Sequence, residues 1–214
     1  MNLNKRSKIF LAGHRGMVGS SILRYLKKKN YKNVITINKN KLDLLNQAKT
    51  EKFIKKIKPD FVIIAAAKVG GILANENFKA DFIYQNLVIQ TNIIHSSYIA
   101  GVKKLIFLGS SCIYPKYSKQ PIKEESLLSG NLEPTNDAYA IAKIAGLKMC
   151  EAYNKQYNLN YICLMPTNLY GPNDNYHTQN SHFYPALISK IYNAKIKNKK
   201  KKLLFGEMVN QKEN

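Results

Sequence analysis

Acidic residues are scarce in this chain of 214 residues: 13 Asp and Glu stand against 34 Lys and Arg, a formal net charge of +21. Arginine is rarer still and occurs only at Arg6, Arg15 and Arg24. Phosphate and base readout in nucleic-acid binders leans on the planar, bidentate guanidinium. The lysine excess, in a chain also rich in Asn and Ile, therefore reads as codon bias on a solvated surface, and no nucleic-acid partner is expected. The run Lys195–Lys202 reads as a helix end and loop. Cysteine is sparse, at Cys112, Cys150 and Cys163, with no Cys-x-x-Cys pair. A disulfide framework and a zinc site are excluded by that pattern, no metal is expected, and a reducing cytoplasm fits. No stretch approaches the ~18 consecutive apolar residues of a membrane helix. The apolar segment after Lys8 is too short for a secretory leader, so no membrane partner is expected.

What is present is a 45% hydrophobic composition, enough for a globular core. Short apolar runs at 8–12, 34–37, 61–65, 104–108 and 161–165 alternate with helical periodicity at 17–29, 47–58, 80–100 and 138–157. Continuous apolar strands separated by helices predict an α/β fold with a doubly wound parallel sheet of the Rossmann kind. No internal repeat or long linker interrupts it.

Tyr139 and Lys143 stand one helical turn apart on a predicted helix and share a face. An ammonium there is expected to stabilise the tyrosinate and lower the phenol's pKa, which suits proton donation to a carbonyl. Ser110, at the end of a predicted strand, can hold the same oxygen. Upstream, Gly13, His14, Arg15, Gly16, Met17, Val18 and Gly19 follow the first strand and open the first helix. Glycines in that context allow a tight turn and close approach of backbone to a pyrophosphate, which the helix N-terminus then faces. NAD-specific folds carry a carboxylate near the end of the second strand. Here Thr36–Lys41 has none, while Lys39, Lys41 and Arg15 offer positive charge, so NADP(H) is expected over NAD. Cys112 reads either as a proton-transfer thiol or as a small filler. His14 reads as positional and His95 as structural. His177 and His182 lie in the polar loop after Tyr170-Gly-Pro-Asn, and either can reach a pocket mouth.

Beyond these single motifs, longer blocks carry a resemblance. They are the glycine loop 13–19, Ala65–Ile72, Asp81–Asn86, Leu108–Lys116, Leu132–Asn136, Tyr139–Gly146 and Met165–Pro172. Together they resemble the GDP-L-fucose synthase family of extended short-chain dehydrogenase/reductases, from about residue 8 to 205. The resemblance implies an NADPH-dependent, multifunctional oxidoreductase and isomerase. Its substrate is GDP-4-keto-6-deoxy-D-mannose, epimerised at C3 and C5 and then reduced at C4 to GDP-L-fucose. It implies that Tyr139, Lys143 and Ser110 serve the reduction, and that Cys112 and His182 are the acid/base pair of the epimerisation, which selects His182 over His177. Implied cofactor contacts are Gly13 to Gly19, Lys39, Lys41, Leu108, Gly109, Ser110, Ser111, Lys143, Pro166, Thr167, Asn168, Leu169 and His182. Lys190 and Phe205 stand where the family contacts the GDP-sugar. A homodimer through the helices near 80–100 and 138–157 is implied as well.

The chain departs from the family at its end. An NADP-binding domain over 1–178 is expected to be followed by only the start of a smaller substrate domain, 179–214. Residues Glu207–Asn214 do not resemble the family. Back-translated one base out of register they spell Asp-Gly-Lys-Pro-Lys-Arg-Glu, the family's continuation, so a frameshift is expected. Activity impaired by truncation follows. The alternative is a non-catalytic NADP-binding or dimerising remnant.

Overall fold

The computed structural model describes residues 3–177 and 181–196. Phe205 and the unusual tail lie outside the described residues. Five strands form one parallel sheet: β1 (Ile9–Ala12), β2 (Val34–Ile35), β3 (Phe61–Ile64), β4 (Lys104–Leu108) and β5 (Asn160–Leu164), in the order β2-β1-β3-β4-β5. The connecting helices are α1 (Met17–Lys28), α2 (Gln47–Ile57), α3 (Ile72–Asn77), α4 (Lys79–Ile99) and α5 (Asp137–Tyr157), and α6 (Phe183–Ile196) follows β5. The expected parallel α/β architecture is therefore present. The second strand is shorter than its apolar run, because this edge strand pairs with β1 only at Ile9–Val34 and Phe10–Ile35.

Side chains alternate across a strand, so β1 serves two layers at once. Phe10 and Ala12 enter a core with Ile54 of α2, Val62 and Ile64 of β3, Ile93 and Ile94 of α4, and Leu105 and Phe107 of β4. Ile9 and Leu11 are buried on the other face. α5 presses close to the sheet because Gly146 has no side chain: a Cβ there would sit 2.6 Å from the Phe107 ring and 2.9 Å from Gln90 Cδ. Gln90 Nε2 donates to Ala142 O at 2.5 Å and ties α4 to α5. Further along the same pair, His95 Nδ1 lies 2.7 Å from Tyr153 Oη, and Tyr98 stacks on Tyr157 at 4.1 Å.

The chain leaves β1 toward β2 on one side and returns to β3 on the other. Open α/β sheets bind ligands at such a reversal, beyond the carboxyl ends of the strands.

Candidate active site

Gly13 follows β1 with φ +85°, a conformation that favours glycine. A Cβ there would lie 2.5 Å from Ala66 N and 2.6 Å from Ala65 O at the end of β3. A Cβ on Gly19 would collide with the Gly13 carbonyl oxygen. Gly16 N donates to Gly13 O at 3.1 Å and closes the turn, and Gly16 begins α1 without a side-chain cap. The first-turn N–H groups of Met17, Val18 and Gly19 are thus left without that partner. His14 Nδ1 is buried without a hydrogen-bond partner, whereas Arg15 is exposed. This cradle fits a dinucleotide pyrophosphate: glycine contacts that no Cβ could share, a helix N-terminus and an orphaned ring nitrogen. Lys39 and Lys41 are exposed just beyond β2, with no carboxylate between β2 and Lys41.

The other half is built on β4 and α5. Gly109 N donates to Leu164 O at 2.8 Å and Ser111 N to Pro166 O at 3.3 Å. These bonds couple Leu108–Ser111 to the segment Pro166, Thr167, Asn168 and Leu169, the last three of which are exposed. Ser110 Oγ accepts from Cys112 N at 3.3 Å and caps a short 3-10 turn, Ser111–Ile113. α5 carries Tyr139 and Lys143 over this turn. Lys143 is 4% exposed, and its Nζ donates to Leu108 O at 2.8 Å. The same Nζ lies 4.8 Å from the Phe107 ring centroid and 5.7 Å from that of Tyr139.

Electrostatics at Tyr139 correct the sequence expectation. Its phenol is pushed up from the ordinary tyrosine value, first by burial and then by the neighbouring Cys112 sulfur, and the nearby Ser110 hydroxyl only partly opposes this. Burial lowers the Lys143 ammonium to about 8. Lys143 spends its hydrogen bond on Leu108, so desolvation outweighs the ion pairing that the spacing predicts. At neutral pH the phenol therefore holds its proton, the state a proton donor requires.

Ser110, Cys112, Tyr139 and Lys143 thus converge at the carboxyl end of β4. His182 is exposed at the start of α6, and its backbone rests near Gly71, whose Cβ would collide with Ser181 O. Among the described residues no hydrogen bond joins His182 to Cys112. Lys190 lies farther along α6, half-buried.

Three contributors lie in blocks that carry the resemblance but receive no role from the sequence. Phe82 stands edge-on to Tyr139 at 6.4 Å. Asn86 accepts from Lys68 N at 3.0 Å and donates to Lys68 O at 2.9 Å, pinning the loop after β3. Asn136 Nδ2 donates to Cys112 Sγ at 3.6 Å. An Asn just before a helix reads as a cap, which conceals this last role.

Residues 9–212 match the NAD dependent epimerase/dehydratase family. A GDP-L-fucose synthase of Sinorhizobium fredii is 59% identical over 92% of this chain and 62% of its own length. A GDP-D-glycero-L-gluco-heptose synthase from Campylobacter jejuni, solved in the presence of NADPH, is 43% identical with a TM-score of 0.87, covering 91% of this chain and 57% of that one. A GDP-L-fucose synthetase from Naegleria fowleri bound to NADP is 31% identical with a TM-score of 0.86, covering 97% and 68%. The chain spans about 62% of the length of the S. fredii relative.

Proposed function

Because this chain belongs to the NAD dependent epimerase/dehydratase family, whose members use a nicotinamide cofactor, we propose that it carries the catalytic half of a GDP-L-fucose synthase. The reaction is 3,5-epimerisation and 4-reduction of GDP-4-keto-6-deoxy-D-mannose. The observation that carries this reading is a thiol, Cys112, beside a proton-holding Tyr139 at one strand end. A simple carbonyl reductase needs the tyrosine but not the thiol.

The 4-keto group acidifies the C–H bonds at C3 and C5, because loss of either proton gives an enolate. Inversion needs a base on one face of the carbon and an acid on the other, and Cys112 and His182 are assigned to these roles. Ser110 donates a hydrogen bond to the C4 oxygen, and Tyr139 delivers its proton there as that oxygen becomes a hydroxyl. Lys143, held on Leu108, fixes the rim of the site. The nicotinamide, when bound, supplies the hydride. Gly13–Gly19, Leu108–Ser111 and Pro166–Leu169 would hold the cofactor. Lys39, Lys41 and Arg15 favour NADP(H) over NAD through a 2′-phosphate.

α6 is read as the start of a substrate domain, with Lys190 facing the GDP-sugar. α4 and α5 are read as dimer helices, on which Tyr84 and Ile141 are 61% and 48% exposed. Free thiols suit a cytoplasmic setting. No described helix is long and apolar enough to cross a membrane.

One observation favours a second reading, a non-catalytic NADP-binding remnant. β5 and α6 leave Ile162, Leu164, Phe183, Ile191 and Tyr192 exposed. The deciding experiment supplies NADPH and the keto-sugar to the 214-residue chain. Sugar-dependent NADPH oxidation that Tyr139→Phe abolishes supports the enzyme. NADPH binding without such oxidation supports the remnant, and absence of NADPH binding removes both.

A further inference from the structure

Asn136 directly precedes α5 and occupies its cap position, yet its side chain makes no capping hydrogen bond to the helix. Asn is a strong capping residue, so a diverted side chain calls for another partner. That partner is Cys112: Nδ2 donates to Sγ at 3.6 Å. The other end of the amide, Oδ1, is buried and unpartnered. A buried amide oxygen without a partner is destabilising, so nothing in the packing explains this placement by itself.

An amide presents a donor and an acceptor in one plane. With nitrogen toward sulfur it complements a thiolate. Rotated by half a turn it would place oxygen toward sulfur and complement a thiol. Because Oδ1 has no partner, rotation breaks no other hydrogen bond. The backbone of Asn136 is held at the same time, with its N–H on Glu133 O at 3.1 Å and its carbonyl accepting from Ala140 N at 3.0 Å. A fixed backbone with a rotatable amide can follow one sulfur through gain and loss of a proton.

We propose that Asn136 is a positioning residue for Cys112, donating to its thiolate and accepting from its thiol. The catalytic meaning rests on reading Cys112 as an acid/base group of the epimerisation, while the pairing itself does not. Bound to the thiolate, the amide favours the reactive form of the sulfur. Returned to the thiol, it holds the S–H that gives the proton back.

The test is iodoacetamide alkylation of the 214-residue chain at neutral pH, resolved by peptide mass spectrometry. It needs neither cofactor nor sugar, so it is independent of whether the keto-sugar is the substrate. Asn136→Asp keeps the shape, improves the cap and suits a helix N-terminus, but replaces the donor with a negative charge. Expected is about tenfold slower labelling of Cys112, corresponding to roughly one pKa unit, with Cys163 labelling and the thermal midpoint not reduced. Asn136→Ser keeps a hydroxyl donor and is expected to retain more of the Cys112 rate than Asn136→Ala. If Asn136→Asp does not fold, the Ser and Ala pair decides. A Cys112 rate that is unchanged in folded Asn136→Asp, or equal in Ser and Ala, overturns the proposal.

Discussion

β1 and β5 lie in one sheet and run in the same direction, but their surroundings differ. In β1, Ile9, Phe10, Leu11 and Ala12 are at most 2% exposed. In β5, Tyr161 is 3% exposed while its neighbours Ile162 and Leu164 are 45% and 47% exposed. One face of β5 lies under α5; the other is left about half exposed among the described residues. Of the candidate groups, Tyr139 and Lys143 are carried by α5, the helix that covers β5, and Ser110 and Cys112 follow β4.

Replacing one apolar residue in each strand tests that division most strongly. Phe10→Ala should destabilise by about 3–5 kcal/mol, measured by urea unfolding. Leu164→Ala should cost less than about 1 kcal/mol, because its side chain is already half in water. Equal losses would mean that the open face is covered in solution.

Gly19→Val tests the cradle. Its side chain collides with the Gly13 carbonyl, and NADPH affinity should fall by about a hundredfold, roughly 2.7 kcal/mol, in a fluorescence titration. Undiminished affinity would place the cofactor elsewhere.

The pH response of Lys143 sharpens the electrostatic contrast. Its folded pKa, about 8, lies below the ordinary 10.5. Between these values the unfolded chain binds more protons than the folded one, so this group's contribution to stability rises with pH. Tyr139, pushed upward, acts oppositely above its ordinary value of 10.0. From pH 8 to pH 10 the native chain should therefore gain on the order of 2 kcal/mol relative to Lys143→Met. Parallel denaturation curves for the two proteins would show that Lys143 is solvated.

The smallest effect is expected where the start of α4 meets the start of α5. Lys79 Nζ bridges Asp137 Oδ1 at 2.9 Å, with both side chains about two-fifths exposed. Lys79→Ala should cost at most about 1 kcal/mol in thermal unfolding, less still in high salt.

The sheet and its long helices were legible because apolar runs and helical periodicity report burial directly. α3 was not: it is six residues long, and its Ile72 and Leu73 are 58% and 41% exposed. α6 is apolar around most of its circumference, so its sequence marks no buried face. Spacing placed Tyr139 and Lys143 on one helix face, but the depressed lysine and the raised phenol follow from burial, which spacing does not encode. The partnership of Asn136 with Cys112 joins residues 24 apart in sequence, and only the fold brings them together.

Gly146 can also be regarded as a mechanical part. It is the point where α5 bears on the sheet, through the Phe107 ring. Tyr139 lies seven residues back along the same rigid rod, about 10 Å at 1.5 Å per residue. A methyl group at 146 would act as a shim under that rod. It would tilt the far end, lift the phenol off the strand end, and detune the site without touching any group that reacts.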